Sequence, residues 1–214
     1  MAKNFITLVD NSKLTISRLE TDPYGTNAYL LRCVNTGQCA LIDAPGNPDI
    51  ILKEAGDDRI LYILMTHAHM DHIMALEELK KLPGVTLAAH REEAKGMPVQ
   101  PDRLLEDGVR LPLGKIEIKV IHTPGHTPGG LCYLVDDFLL GGDTLFPGGP
   151  GKTDSPESLG NLLATIETKI MTLPDQITVF PGHGLPATIG EIRPKFTAFL
   201  ARGYDKSLCG DITW

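Results

Sequence analysis

Between Thr66 and His72 the chain reads Thr-His-Ala-His-Met-Asp-His, a dense run of imidazoles with one carboxylate. In an extended stretch alternate side chains share a face, so His67 and His69 can converge on one ion. Asp71 and His72 then begin a helix, where they diverge from the first pair and can hold a second ion. Imidazole and carboxylate are the donors that zinc and similar divalent metals take. Three more residues of ligand type share one local context. His126 lies in Thr123-Pro124-Gly125-His126-Thr127-Pro128, Asp143 in Gly141-Gly142-Asp143-Thr144, and His183 in Pro181-Gly182-His183-Gly184. Each follows an apolar run and then glycine, which lets backbone and ion approach closely. A loop rich in histidine by accident would not repeat that context.

The apolar runs that precede these residues predict the elements that carry them. Phe5–Val9, Leu14–Leu19, Asn27–Cys33 and Cys39–Asp43 are strand-like and separated by turn residues. A helix is expected from Asp49 to Ala55, with Gly56 as its stop. Ile60–Met65 is continuously apolar, as a strand buried on both faces would be. Ile73–Lys80 has helical spacing and Val85–Ala89 reads as a strand. Further strands are expected at Ile116–Ile121, Leu131–Val135, Phe138–Leu140 and Ile177–Phe180. A helix is expected over Pro156–Met171, with Ser155 as its cap and Pro156 in its first turn. A last helix is expected over Arg193–Arg202, with Pro194 near its start and Gly203 beyond its end. Residues 203–214 show no periodicity. Strands and helices mix in both halves without a long linker, which predicts one α/β domain over residues 1–214. Its two mixed sheets would pack together with helices outside, and ligands would collect at strand ends.

Composition narrows the function. The chain has 214 residues, 42% of them hydrophobic, and a net charge of −7. That charge disfavours a nucleic-acid partner. No run of about eighteen apolar residues is present to span a membrane, and the first residues lack a signal-peptide core. We therefore expect a cytoplasmic protein acting on a small molecule. The four cysteines show no CxxC spacing. Cys33 and Cys39 flank the turn Asn35-Thr36-Gly37, and in a reducing compartment they are read as two buried thiols.

The ordered set H-x-H-x-D-H, G-H-T, G-D-T-L-F and P-G-H-G, from Thr66 to Gly184, resembles the metallo-β-lactamase-fold superfamily, and within it the glyoxalase II-like branch. The resemblance implies a four-layer αββα sandwich and two divalent ions, zinc first and iron or manganese as alternatives. It assigns His67, His69 and His126 to one ion, and Asp71, His72 and His183 to the other, with Asp143 bridging. It further implies a hydroxide between the ions as nucleophile, with Asp71 orienting it or taking its proton. The activity implied is hydrolysis of a thioester or ester of the hydroxyacylglutathione type. The loop Gly148-Gly149-Pro150-Gly151-Lys152 resembles the one that places a basic residue against glutathione, which makes Lys152 a candidate substrate anchor. This chain differs from the family in having Ile73, Met74 and Ala75 where glycines are common, Gly130 after the G-H-T motif, and no apparent helical domain after His183.

Rival readings remain. A persulfide dioxygenase shares these motifs but uses one iron on His67, His126 and Asp143. Lactone or β-lactam hydrolysis fits the same motifs. Nuclease relatives are disfavoured by charge, and flavodiiron relatives by His69, where they commonly carry Glu. A metal-stabilised binding module is disfavoured by the intact ligand set. His90 and His122 end strand-like runs and are assigned to packing or to support of the ligands.

Overall fold

The structure, a computed structural model, describes residues 4–214. Seven strands form the first sheet in chain order: β1 (Ile6–Asp10), β2 (Leu14–Thr21), β3 (Thr26–Cys33), β4 (Gln38–Ile42), β5 (Arg59–Leu64), β6 (Thr86–His90) and β7 (Arg103–Leu105). The first four pair antiparallel and β4 to β7 run parallel. The second sheet has six strands, β8 (Arg110–Leu113), β9 (Ile116–His122), β10 (Leu131–Val135), β11 (Phe138–Gly142), β14 (Thr178–Pro181) and β15 (Ala187–Thr188), in the order β15-β14-β11-β10-β9-β8. Between β11 and β14 lies a small hairpin, β12 (Leu145–Phe146) with β13 (Gly149–Pro150).

Alternation along the strands sorts the apolar side chains into layers. Leu14, Ile16, Leu31, Ile42 and Leu64 of the first sheet meet Leu111, Ile118, Val120, Tyr133 and Leu140 of the second in a shared core. The opposite face of the first sheet, with Leu30, Leu41, Ile63 and Leu87, is covered by α1 (Pro48–Ala55), α2 (Met70–Ile73) and α3 (Leu76–Leu79). The outer face of the second sheet is covered by α4 (Pro156–Thr165), a π-helical turn at Ile166–Ile170, and α5 (Ile189–Ala201). The expected sandwich of two mixed sheets between helices is what the chain forms. Cys33 packs in the inter-sheet core and Cys39 on the opposite face, so the two thiols are buried and unpaired.

Three expected elements change shape, each for a local reason. The helix expected over Ile73–Lys80 is split into α2 and α3. Its break at Met74-Ala75 arises where Ala44 captures the backbone: Ala75 N donates to Ala44 O at 2.8 Å and Ala44 N to His72 O at 2.9 Å. The helix from Pro156, capped by Ser155 Oγ on Ser158 N at 3.1 Å, ends as α-helix at Thr165 and continues with wider turns. The last helix starts at Ile189 rather than Arg193, because Thr188 and Glu191 form a reciprocal capping box. Pro194 therefore stands inside it. The short strands β7 and β8 were not expected from the sequence.

Candidate metal centre

The ligand-type residues leave the sheets at one end. Strands β4 and β5 are parallel neighbours, so the turns that follow them lie side by side. The turn after β5 carries His67 to His72, and α2 starts at Met70 with His69 as its extended N-cap. In the second sheet β9 and β11 run the same way, each antiparallel to β10, and β14 is parallel to β11. Their ends deliver His126, Asp143 and His183. The two ends are joined by backbone: Asn27 N donates to Gly182 O at 2.7 Å, and Leu131 N to Thr66 O at 2.9 Å.

All seven residues meet in one cleft. His67, His69 and His126 offer ligand atoms within 4.8 Å of one another, and so do Asp71, His72 and His183. His67, His72 and Asp143 form a third such group that joins the two. Asp143 lies between them, with Oδ1 3.5 Å from His72 Nε2, and Oδ2 3.7 Å from His126 Nε2 and 3.5 Å from His183 Nε2. Gly182 must be glycine here, since a Cβ would collide with Asp143 Oδ1.

Partners behind the rings fix their orientation. Asp43, only 2% exposed and held at a positive φ of 58°, directly follows β4. Its Oδ2 accepts from His72 Nδ1 at 2.8 Å and from Thr66 Oγ1 at 2.7 Å, while Oδ1 accepts from Thr66 N at 2.7 Å. Since Thr66 spends its proton on Asp43, its oxygen accepts from His67 Nδ1 at 3.0 Å. His126 Nδ1 donates to Lys152 O at 2.7 Å. These partners place a proton on Nδ1 of His67, His72 and His126 and turn each Nε2 towards the other ligand atoms. Thr26 Oγ1 donates to Asp71 Oδ2 at 2.8 Å. Glu93, 5% exposed, accepts from Ala68 N through Oε2 and from Gly129 N through Oε1, both at 2.8 Å.

This donor set fits divalent ions. With both Nδ1 atoms bonded elsewhere, His67 Nε2 and His126 Nε2 face each other at 3.3 Å, as two ligands of one cation would. His72 Nε2 and Asp143 Oδ1 are buried without a hydrogen-bond partner among the described residues, which costs about 1–3 kcal/mol for each group left unpaired. Electrostatics without metal separate the groups. Burial, then the neighbouring histidines, holds His67 well below its usual pKa, and His69 is lowered by burial and His126. Burial also works against charging His72, yet Asp43, Asp143 and Asp71 together lift it to about 9. The hydrogen bond to Asp71 raises His183. Burial resists ionisation of Asp71, but His183, His72 and Thr26 outweigh it and hold its carboxyl far below the usual range.

Residues 21–183 match the model of the metallo-beta-lactamase superfamily. The chain belongs to that superfamily. A probable metallo-hydrolase, YqgX of Bacillus subtilis, is 34% identical over 78% of this chain and 89% of its own length. The hydroxyacylglutathione hydrolase GloC of Haemophilus influenzae is 33% identical over 71% of this chain and 82% of its own. Among solved structures, ETHE1 from Myxococcus xanthus superposes with a TM-score of 0.75 at 27% identity, covering 86% of this chain and 84% of that one. The metallo-beta-lactamase fold brings with it divalent-metal binding and hydrolytic chemistry, and the glyoxalase II-like branch is where this chain's relatives lie.

Within that fold, the remaining candidates take other places. His90 and His122 stack on each other, with ring centroids 4.3 Å apart and planes 8° from parallel, outside every ligand group. The Lys152 side chain is exposed, while its carbonyl is the partner of His126. Sequence reasoning missed Asp43, Thr26, Thr66 and Glu93 as supports. Asp43 carried a usable signal, an acid ending the run Cys39–Asp43 before Ala44-Pro45-Gly46, much as Asp143 follows its own strand. No helix among the described residues is long and apolar enough to cross a membrane.

Proposed function

We propose that this chain is a binuclear metallohydrolase that cleaves a small thioester or ester, in the manner its hydroxyacylglutathione hydrolase relative is named for. The observation that carries it is Asp143, whose two oxygens face the ligand atoms of both groups at 3.5 to 3.7 Å. His67, His69 and His126 would hold one ion and Asp71, His72 and His183 the other, with Asp143 shared. The chemistry supplied by bound divalent ions is the acidification of a water and the polarisation of an acyl carbonyl. The residues of the chain do the rest. Thr66 and Asp43 hold the His67 and His72 rings fixed in direction through their Nδ1 atoms. Asp71, ionised at any working pH and steadied by Thr26, accepts a hydrogen bond from the attacking water and orients it. Lys152 attracts an acidic substrate limb from the rim.

Metal analysis of the purified protein, run with a panel of thioesters, lactones and persulfides, tests this reading. Two zinc-like ions per chain with thioester turnover is the expected result. One iron per chain with persulfide-dependent oxygen uptake would replace it by the dioxygenase. Turnover confined to lactones or β-lactams would keep the centre and change the substrate.

A further inference from the structure

We infer that the segment Gly210–Trp214 is a strap that positions His126, acting through the loop Gly148–Thr153. Its basis lies at both flanks of Lys152, the residue whose carbonyl orients the His126 ring. On one side Thr153 and Gly210 exchange backbone bonds, Gly210 N to Thr153 O at 2.7 Å and Thr153 N to Gly210 O at 3.3 Å. On the other side Trp214 N donates to Gly148 O at 3.0 Å. The chain at Ile212 runs so close to Gly149 that a Cβ there would collide with the Ile212 carbonyl. The strap is anchored in turn on the body of the protein. The Trp214 ring meets Phe196 and Phe199 of α5 edge-on, at centroid distances of 5.6 and 5.7 Å, and Ile212 packs on the same outer core.

A continuous path therefore runs from a helix on the outer face, through one indole and three backbone bonds, to the ring nitrogen opposite the ligand atom of His126. A carbonyl behind a metal-ligating imidazole sets its tautomer and its aim. Lys152 itself is exposed, but the turn before it, Gly149 to Gly151, is buried and held on one side by β12 and by Gly151 N on Thr144 O at 3.2 Å. Its glycines still leave the backbone conformers that a restraint on the other side would remove. The strap supplies that second restraint from a part of the sequence that shows no pattern of its own. Trp214 is the only tryptophan in the chain and is here a positioning residue.

This rests on His126 being a ligand of the first group, and the test separates the two claims. Zinc binding is measured by competition with a chromogenic chelator in the unmodified protein, Trp214→Ala and Trp214→Phe. We expect Trp214→Ala to weaken one of two sites about tenfold, the lower end of what loss of a partner behind a ligand costs. The other site should be unchanged, and Trp214→Phe, which keeps a ring on Phe196 and Phe199, should restore most of the loss. Coupling is reciprocal, so zinc must also steady the strap. In the unmodified protein the Gly210 and Thr153 amides should exchange with deuterium about tenfold more slowly when zinc is bound, matching that same factor. That arm stands even if Trp214→Ala does not fold. Equal weakening of both sites, or unchanged exchange at both amides, overturns the strap. Failure of the unmodified protein to bind zinc at all would instead overturn the metal centre.

Discussion

His67, His69 and His126 meet as three imidazoles carried on two loops, with His69 exposed. Asp71, His72 and His183 meet around a ring that is 0% exposed and faced by the carboxylates of Asp43, Asp71 and Asp143. Burial holds His67 and His69 below their usual pKa, and the geometry of the first group depends on backbone partners from elsewhere, Lys152 and the loops that Glu93 ties together. The second group has its direction and its negative charge built into the strand ends. One centre thus combines an open, loop-held half with a closed, carboxylate-held half.

Removing what the halves share should have the largest effect. Asp143→Ala is expected to lower content of both ions and to cut turnover by more than the roughly 100-fold that loss of a supporting residue costs. Metal analysis with kcat/KM on a thioester checks this, and full metal at full rate would show that the carboxylate bridges nothing. Next comes the support of the closed half. Asp43→Asn keeps the shape but removes the charge opposite His72, and should weaken binding by about 10 to 100-fold. Glu93→Ala should act on the open half instead, by freeing Ala68 N and Gly129 N, with about a tenfold loss. Asp43→Asn also loosens Thr66 behind His67, so the deciding outcome is Glu93→Ala: if it weakened the closed half as much as the open one, the division into two halves would be wrong.

A pH series sharpens the same contrast without mutation. In metal-free protein His72 is raised to about 9. A raised histidine contributes stability that is complete below its unfolded value near 6.5 and is lost as pH rises through the folded value. Metal-free protein should therefore melt at a lower temperature at pH 9.5 than at pH 6.5, and Asp43→Asn should flatten that difference. Zinc must displace the His72 proton, so affinity of the closed half should fall about tenfold per unit of pH below 9, if one proton is released. His67 and His69 are held below their usual values, so these two ligands of the open half should add no such slope near neutrality. Calorimetry of the metal-free protein and zinc titrations at pH 7 and 8 would expose a common slope if the halves titrate alike.

Much of this was legible in the sequence because chemistry and periodicity coincide there. Ile60–Met65 is apolar throughout and ends at Thr66, so the cluster after it had to sit at a strand end, and the chain places it there. The supports were harder to see. Glu93 lies in a short 3₁₀ turn, Glu93–Gly96, and its partners Ala68 and Gly129 are 25 and 36 residues away. Nothing in local spacing marks such a carboxylate. Asp43 looked like the end of a strand, because its role depends on β4 lying beside β5, which is a property of topology. The split between α2 and α3 had the same origin, since Ala44 takes hydrogen bonds that a periodic pattern would have left inside one helix.

The smallest expected effect belongs to Lys152, and the fold makes it a cleaner test than the sequence allowed. The residue has two separable parts. Its carbonyl orients His126, and its side chain is exposed on the rim. Truncating the side chain leaves the carbonyl in place, so Lys152→Ala should leave metal binding and kcat nearly unchanged. What it removes is one ammonium on a flexible stem, a permissive anchor compared with a bidentate arginine. A few-fold rise in KM is expected for an acidic thioester such as a glutathione conjugate, about what an exposed charge contributes, and no change for an uncharged one. A rise in KM with kcat preserved is loss of uniform binding. It would place the acidic limb of the substrate over the open half of the centre. An equal change for both substrates, or none for either, would remove the side chain from substrate binding and leave Lys152 only its carbonyl.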